Sequence, residues 1–262
     1  MNTRQCLGRH WSSPDGKPMR HEMPRAMTVI CKALHEQIEH GLLSPGGRLP
    51  GERRLSELFA TTRITLREAL AQLEAQGLIY REERRGWFVS PPPLSYDLLS
   101  RDSFQARAVA QGREARTRLI HARSLPASAE ICAKLRLPAL SSVIQHCHTG
   151  AIDGRLVLYA EQYLNPALFP KGTGDDPGRF LAGFHASNRG ELWIDMRSVA
   201  LHGEACAALT VSAGSPALCI SRLSLDRHGC PVACDLEYWR HDAIRIGAVI
   251  SGIQDKDSPG RP

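Results

Sequence analysis

The stretch Thr62-Arg63-Ile64-Thr65-Leu66-Arg67-Glu68-Ala69-Leu70 decides how the first third of the chain folds. Leu66, Leu70 and Leu73 recur at helical spacing, so the segment is a helix with one apolar face. Thr62 stands where an N-cap belongs, with a hydroxyl able to accept from a first-turn amide. Outward toward the N-terminus, Leu55, Leu58 and Phe59 give a second short apolar face after Pro50-Gly51-Glu52, with Gly51 as its cap. Before them, Ile30, Leu34 and Ile38 recur at i, i+4 and i+8 and give a first helix from Met27 that stops at Gly41. Outward toward the C-terminus, Leu78-Ile79-Tyr80 and Gly86-Trp87-Phe88-Val89 flank the basic run Arg81 to Arg85 as two short strands. Three helices and a two-stranded wing predict a winged helix-turn-helix. Pro91-Pro92-Pro93 continues neither a helix nor a central strand, so it marks the exit into a linker.

Charge gives this first unit a function. Arg63 and Arg67 lie four residues apart, which sets both guanidiniums on one helix face with Thr65 between them. In a major groove, arginine reads guanine with two hydrogen bonds and threonine approaches a thymine methyl or a phosphate. Arg53 and Arg54 open the preceding helix, and Arg84-Arg85-Gly86 tip the wing, where a glycine lets the backbone approach DNA closely. The expected DNA contacts are Arg53, Arg54, Arg63, Thr65, Arg67, Arg85 and Gly86. The competing reading of Arg63 and Arg67 is a solvated helix face paired with Glu68 or Glu74.

The whole chain has 262 residues, 42% hydrophobic and 23% charged, room for two cores and no sign of a mainly disordered chain. No stretch reaches the roughly 20 apolar residues of a bilayer span, and residues 1–24 lack the apolar core of a signal peptide, so a cytoplasmic protein off the membrane is expected. The net charge of +6 and pI near 9.0 fit a polyanionic partner. The eight cysteines form no Cys-x-x-Cys pair, which points to reduced thiols.

The second half predicts an antiparallel sheet carrying helices. Strand-like runs at Val143-Ile144 and Leu156-Val157-Leu158 are joined across Asp153-Gly154, a tight-hairpin dipeptide. A second pair, Leu218 to Leu225 and Val232 to Trp239, flanks Asp226 to Gly229, while 128–135 (capped by Ser128), 179–185 and 201–209 read as helices. The fold class is therefore α+β. Its expected division is a mobile arm at 1–24, a winged helix at 25–90, a linker at 91–100, an effector domain at 101–252 and a flexible tail at 253–262.

The run Gly41 to Arg53, with Thr62 to Leu70, Gly77-Leu78-Ile79 and Gly86-Trp87-Phe88-Val89, resembles the DNA-binding domain of GntR-family transcriptional regulators over about sixty residues. That resemblance implies contacts from Arg53, Arg63, Thr65 and Arg67 with Gly86 at the wing tip; Gly51 departs from the serine usual there. The second half resembles the UTRA effector domain of the HutC branch through Ser103-Phe104, Gly112, Asp153-Gly154 leading to Glu161-Gln162-Tyr163-Leu164, and Gly229-Cys230-Pro231-Val232 to Arg240-His241-Asp242. The ending Asp235 to Ala243, with Gln111-Gly112-Arg113, looks like regulators of phosphonate use, of the 2-aminoethylphosphonate kind. The resemblance implies a ligand-responsive homodimer on a palindromic double-stranded operator.

An anionic effector such as a phosphonate suits free amides near Ser103 and Phe104 with a histidine nearby, His148, and its ammonium suits Glu161, Asp235 or Tyr238. Ordinary cross-strand pairs are the other reading of Glu161 and Asp235. His146-Cys147-His148 places two imidazoles on one strand face, for packing, for the effector or for a metal whose third ligand is hard to name. No phosphate loop, nucleophile elbow or paired-carboxylate signature appears, so no catalysis, cofactor or metal is expected. The alternatives are a small-molecule-binding enzyme fused to a DNA-binding domain, and a second domain that only dimerises.

Overall fold

The computed structural model describes residues 25–98, 100, 102–165, 167–168 and 190–247. The expected arm, the tail and the helix over 179–185 lie outside them. Helices α1 (Arg25–Glu39), α2 (Glu52–Leu58) and α3 (Arg63–Ala75) precede strands β1 (Ile79–Glu82) and β2 (Gly86–Val89), which pair antiparallel. Ile30, Leu34, Leu55, Leu66, Leu70, Leu73, Ile79 and Trp87 close one apolar core, the periodic residues turned inward. Leu58, expected on the apolar face of α2, is instead exposed, because the seven-residue helix buries only Leu55.

Part of the stretch expected as linker, 91–100, is strand. Leu94–Asp97 forms β3, which pairs in parallel with β10 (Ile244–Gly247) and buries Leu94 and Tyr96 completely. Two burials at alternate positions over four residues are too short a signal beside three prolines. Arg113 Nη1 also donates to the Pro92 carbonyl at 2.9 Å, so the connection is held against the second domain.

That domain is a six-stranded antiparallel sheet in the order β4-β5-β6-β9-β8-β7, comprising β4 (Ala115–Pro126), β5 (Ser142–Ile152), β6 (Arg155–Leu164), β7 (Leu192–Ala200), β8 (Pro216–Leu225) and β9 (Pro231–Arg240). Asp153 and Gly154, both at positive φ (48° and 82°), form the two-residue turn between β5 and β6. One sheet face packs α4 (Phe104–Ala110) and β3 around Trp239, Tyr96, Leu158 and Ile220. The other packs α5 (Ala129–Leu135) and α6 (Gly203–Leu209) through Ile131, Leu135, Leu201, Cys206 and Leu209. Among the described residues, no helix is long and apolar enough to cross a membrane.

Candidate DNA interface and effector site

Thr62 caps α3, accepting from the Thr65 amide at 3.2 Å, so the first turn of α3 is rigid where Arg63, Ile64 and Thr65 project. All three are solvent-facing or nearly so. Arg67 pairs with neither Glu68 nor Glu74: its Nε donates to Glu52 at 2.8 Å, and the wing residue Trp87 donates its indole N–H to the same carboxylate at 3.3 Å. The Arg67 hydrogen bond, foremost, holds the Glu52 carboxyl below its usual range. One carboxylate thus ties α2, α3 and β2 together and steadies Arg67.

Arg53 pairs with Glu57 one turn on, at 3.2 Å, and Arg85 pairs with Glu82 across the wing turn. Gly86 has φ +101°, and a Cβ built there would lie 3.7 Å from the Arg48 guanidinium. Arg48 was missed by sequence reasoning because it lies in a loop with no periodicity; with Arg81, Arg84 and Gly86 it lines a groove of about 210 Å³ beside the N-terminus of α2. Glu52 thus holds Arg67 of α3 and also lines the groove that contains Arg48, Arg81 and Arg84.

Six residues were expected around an effector, and the sheet divides them. Cross-strand partners share a face. Gln162 pairs with Asp235 and His146, while Glu161 pairs with Leu236 and Cys147, and Tyr159 with Tyr238. His148 and Asp235 therefore lie on the α4 face, Glu161 and Tyr238 on the α5/α6 face. A single small ligand cannot touch both sets through the sheet. Ser103 accepts from the Ala106 amide at 3.2 Å as the α4 cap, and Phe104 packs its ring 5.8 Å from that of Trp239 and against Gly150, whose added Cβ would lie 3.0 Å from it. Phe104 serves as packing.

The α4 face carries a polar row. Tyr96 donates to Glu237 at 2.7 Å, the Trp239 indole donates to the same oxygen at 2.9 Å, and Arg222 donates to the Tyr96 hydroxyl. Gln162 donates to Asp235 at 2.7 Å. The guanidinium carbons of Arg107 and Arg222 lie 4.3 and 5.3 Å from the Tyr96 ring centroid. Among the described residues, Arg107 Nε, Arg222 Nε and His146 Nδ1 are buried with no hydrogen-bond partner. Burial, with lesser repulsion from Glu237, pushes the Asp235 carboxyl up to about 6, and burial lowers His146 and His148. The face offers unsatisfied donors beside carboxylates, a lining suited to a ligand of both signs. Arg107 and Arg222 were not singled out from sequence; only the fold brings them 115 positions apart onto one ring. No group of three metal-ligating side chains occurs among the described residues.

Known families match the two halves of the chain separately. Residues 27–89 match the family of bacterial regulatory proteins described as gntR, and 110–245 match the UTRA domain. The chain is 34% identical over 218 residues to the uncharacterized HTH-type transcriptional regulator YihL of Escherichia coli, covering 81% of this chain and 92% of that protein. It is 36% identical over 114 residues to the HTH-type transcriptional repressor NagR of Bacillus subtilis, covering 44% of this chain and 47% of that one. The crystal structure of PhnF from Mycobacterium smegmatis superposes with a TM-score of 0.56 at 22% identity, over 85% of this chain and 99% of that one.

Proposed function

The chain belongs to the GntR family, with a UTRA domain as its C-terminal half, and is a DNA-binding transcriptional regulator; we propose that it acts in the cytoplasm as a homodimer that a zwitterionic phosphonate moves on or off a palindromic operator. Arg53, Arg54, Arg63, Thr65 and Arg67 contact the major groove and its phosphates, and Arg85 with Gly86 brings the wing to the backbone. Trp193 and Met196, exposed on the edge strand β7, are apolar surface that a second copy would cover.

The observation that carries the effector reading is the pair of buried arginines, Arg107 and Arg222, converging on Tyr96, with Arg107 Nε without a hydrogen-bond partner and Arg222 Nε met only by the Glu237 carboxylate, 3.6 Å away. A phosphonate oxygen satisfies such donors, and an ammonium on the same ligand meets Asp235 or Glu237. 2-Aminoethylphosphonate has both groups. The test is a gel shift on duplexes selected by the full-length chain, with and without that compound. Altered operator affinity, lost in Asp235→Asn and His148→Ala, is expected. A response to uncharged metabolites alone would overturn the effector class and leave the regulator standing.

A further inference from the structure

The α5/α6 face of the sheet holds a second cavity, separate from the row on the α4 face. Its volume is about 240 Å³, its floor is Tyr159, Glu161 and Tyr238, and its rim is His202 and Glu204 at the start of α6. Both oxygens of Glu161 accept from phenols: Tyr159 at 3.2 Å and Tyr163 at 3.3 Å. Those donors carry no charge. Among the described residues, no lysine or arginine is paired with Glu161; Arg123 on β4 donates to Gln145 at 2.9 Å, and Gln145 donates to the Tyr163 hydroxyl at 3.0 Å. Glu204 adds a second carboxylate, met at one oxygen by His121 at 2.9 Å.

A carboxylate withdrawn from water and held only by neutral donors keeps an uncompensated charge, and burial foremost pushes the Glu161 carboxyl upward. The rings of Tyr159 and Tyr238, 6.0 Å apart and tilted by 37°, wall the same space, and tyrosine faces attract cations. We propose that this cavity binds a small organic amine, its ammonium against Glu161 and the rings of Tyr159 and Tyr238, with Glu204 at the mouth. Two carboxylates repel an anion, and an uncharged guest leaves Glu161 uncompensated. The site goes beyond the effector reading and stands or falls without it.

Titration calorimetry of the full-length chain tests it, with ethanolamine as probe and ethylene glycol and acetate as its uncharged and anionic counterparts. One saturable ethanolamine site per chain is expected, about tenfold or more weaker in Glu161→Gln, as loss of a charged hydrogen bond implies. Tyr238→Leu should weaken it several-fold, and Glu114→Gln, in an exposed pair with Arg116 away from both sites, should leave it unchanged. If Glu161→Gln fails to fold by thermal melting, Glu204→Gln carries the test, with a several-fold loss expected. Absence of saturable binding up to tens of millimolar, equal binding of ethylene glycol, or undiminished binding in the tested glutamine variant would overturn the site. Loss in Asp235→Asn with none in the glutamine variant would overturn it too, and move the amine to the α4 face. Operator binding by the same preparations, expected unchanged, separates this failure from failure of the regulator reading.

Discussion

Asp235 shows how a residue's meaning depends on its surroundings. Burial and the nearby Glu237 raise its carboxyl to about 6, above the ordinary value near 3.9, so the folded state binds the extra proton between those values. Stability therefore falls as pH rises through that window and stays lower above it. Asp235→Asn should be more stable than the parent at pH 7.5, by up to about 2–3 kcal/mol, and lose that advantage below about pH 4. Urea titrations at the two pH values measure it. On α3, Arg63 is exposed with no ion pair among the described residues, whereas Arg67 is held by Glu52. Arg63→Ala and Arg67→Ala should each cost about 1–3 kcal/mol of specific operator affinity if they read bases. Fluorescence anisotropy on a selected duplex, with a random duplex as control, gives that difference. If both variants bound like the parent, α3 would not be the reading helix.

At the scale of elements, the best-read pieces are those whose signals are local. The cap and leucine spacing of α3, the Ser128 cap of α5 and the Asp153-Gly154 turn all lie within a few residues of what they specify. Gly154 sits at φ +82° with open space around its missing Cβ, so its need for glycine is one of backbone conformation alone. Gly154→Ala should therefore cost about 1–2 kcal/mol, seen as a lower urea midpoint with an unchanged slope. β3 was illegible for the opposite reason. Its partner β10 lies at the far end of the domain, and a parallel pair with a long connection leaves no local trace.

Across the whole molecule, the two domains meet at a packed joint. Arg155 Nη2 donates to both Asp242 oxygens at 2.9 and 2.7 Å, with side-chain exposures of 7% and 1%. Its guanidinium carbon lies 3.6 Å from the ring centroid of Tyr80 on the wing strand β1, and that of Arg240 lies 5.3 Å away. Ser90 donates to Asp242 at 2.7 Å, and His241 contacts the Glu74 carbonyl near the end of α3 at 2.8 Å. Pro91 to Pro93, the joint expected from sequence, therefore run beside a larger contact. Asp242→Ala leaves a buried guanidinium unpaired, a loss of about 3–5 kcal/mol. Calorimetry should then show two separate unfolding transitions where the parent shows one, and a single lowered transition would mean the domains melt together without this pair.

Sequence by itself determined the winged helix and the four central strands β5, β6, β8 and β9 with the turns between them, because period, cap and turn chemistry act over a few residues; the edge strands β4 and β7, mostly exposed, carry no such apolar pattern. It also determined that alternate residues of β5, β6 and β9 face opposite ways. Only the tertiary structure decided which alternates share a side: cross-strand register, with irregularities at Gly150/Ala151 and Ser224/Leu225, puts Asp235 with His148 and Glu161 with Tyr238. The same holds for Arg155 and Asp242, 87 positions apart, and for Tyr80 beneath them. Such pairs form because a buried charge needs a partner wherever the fold brings one, and that demand has no spacing along the chain.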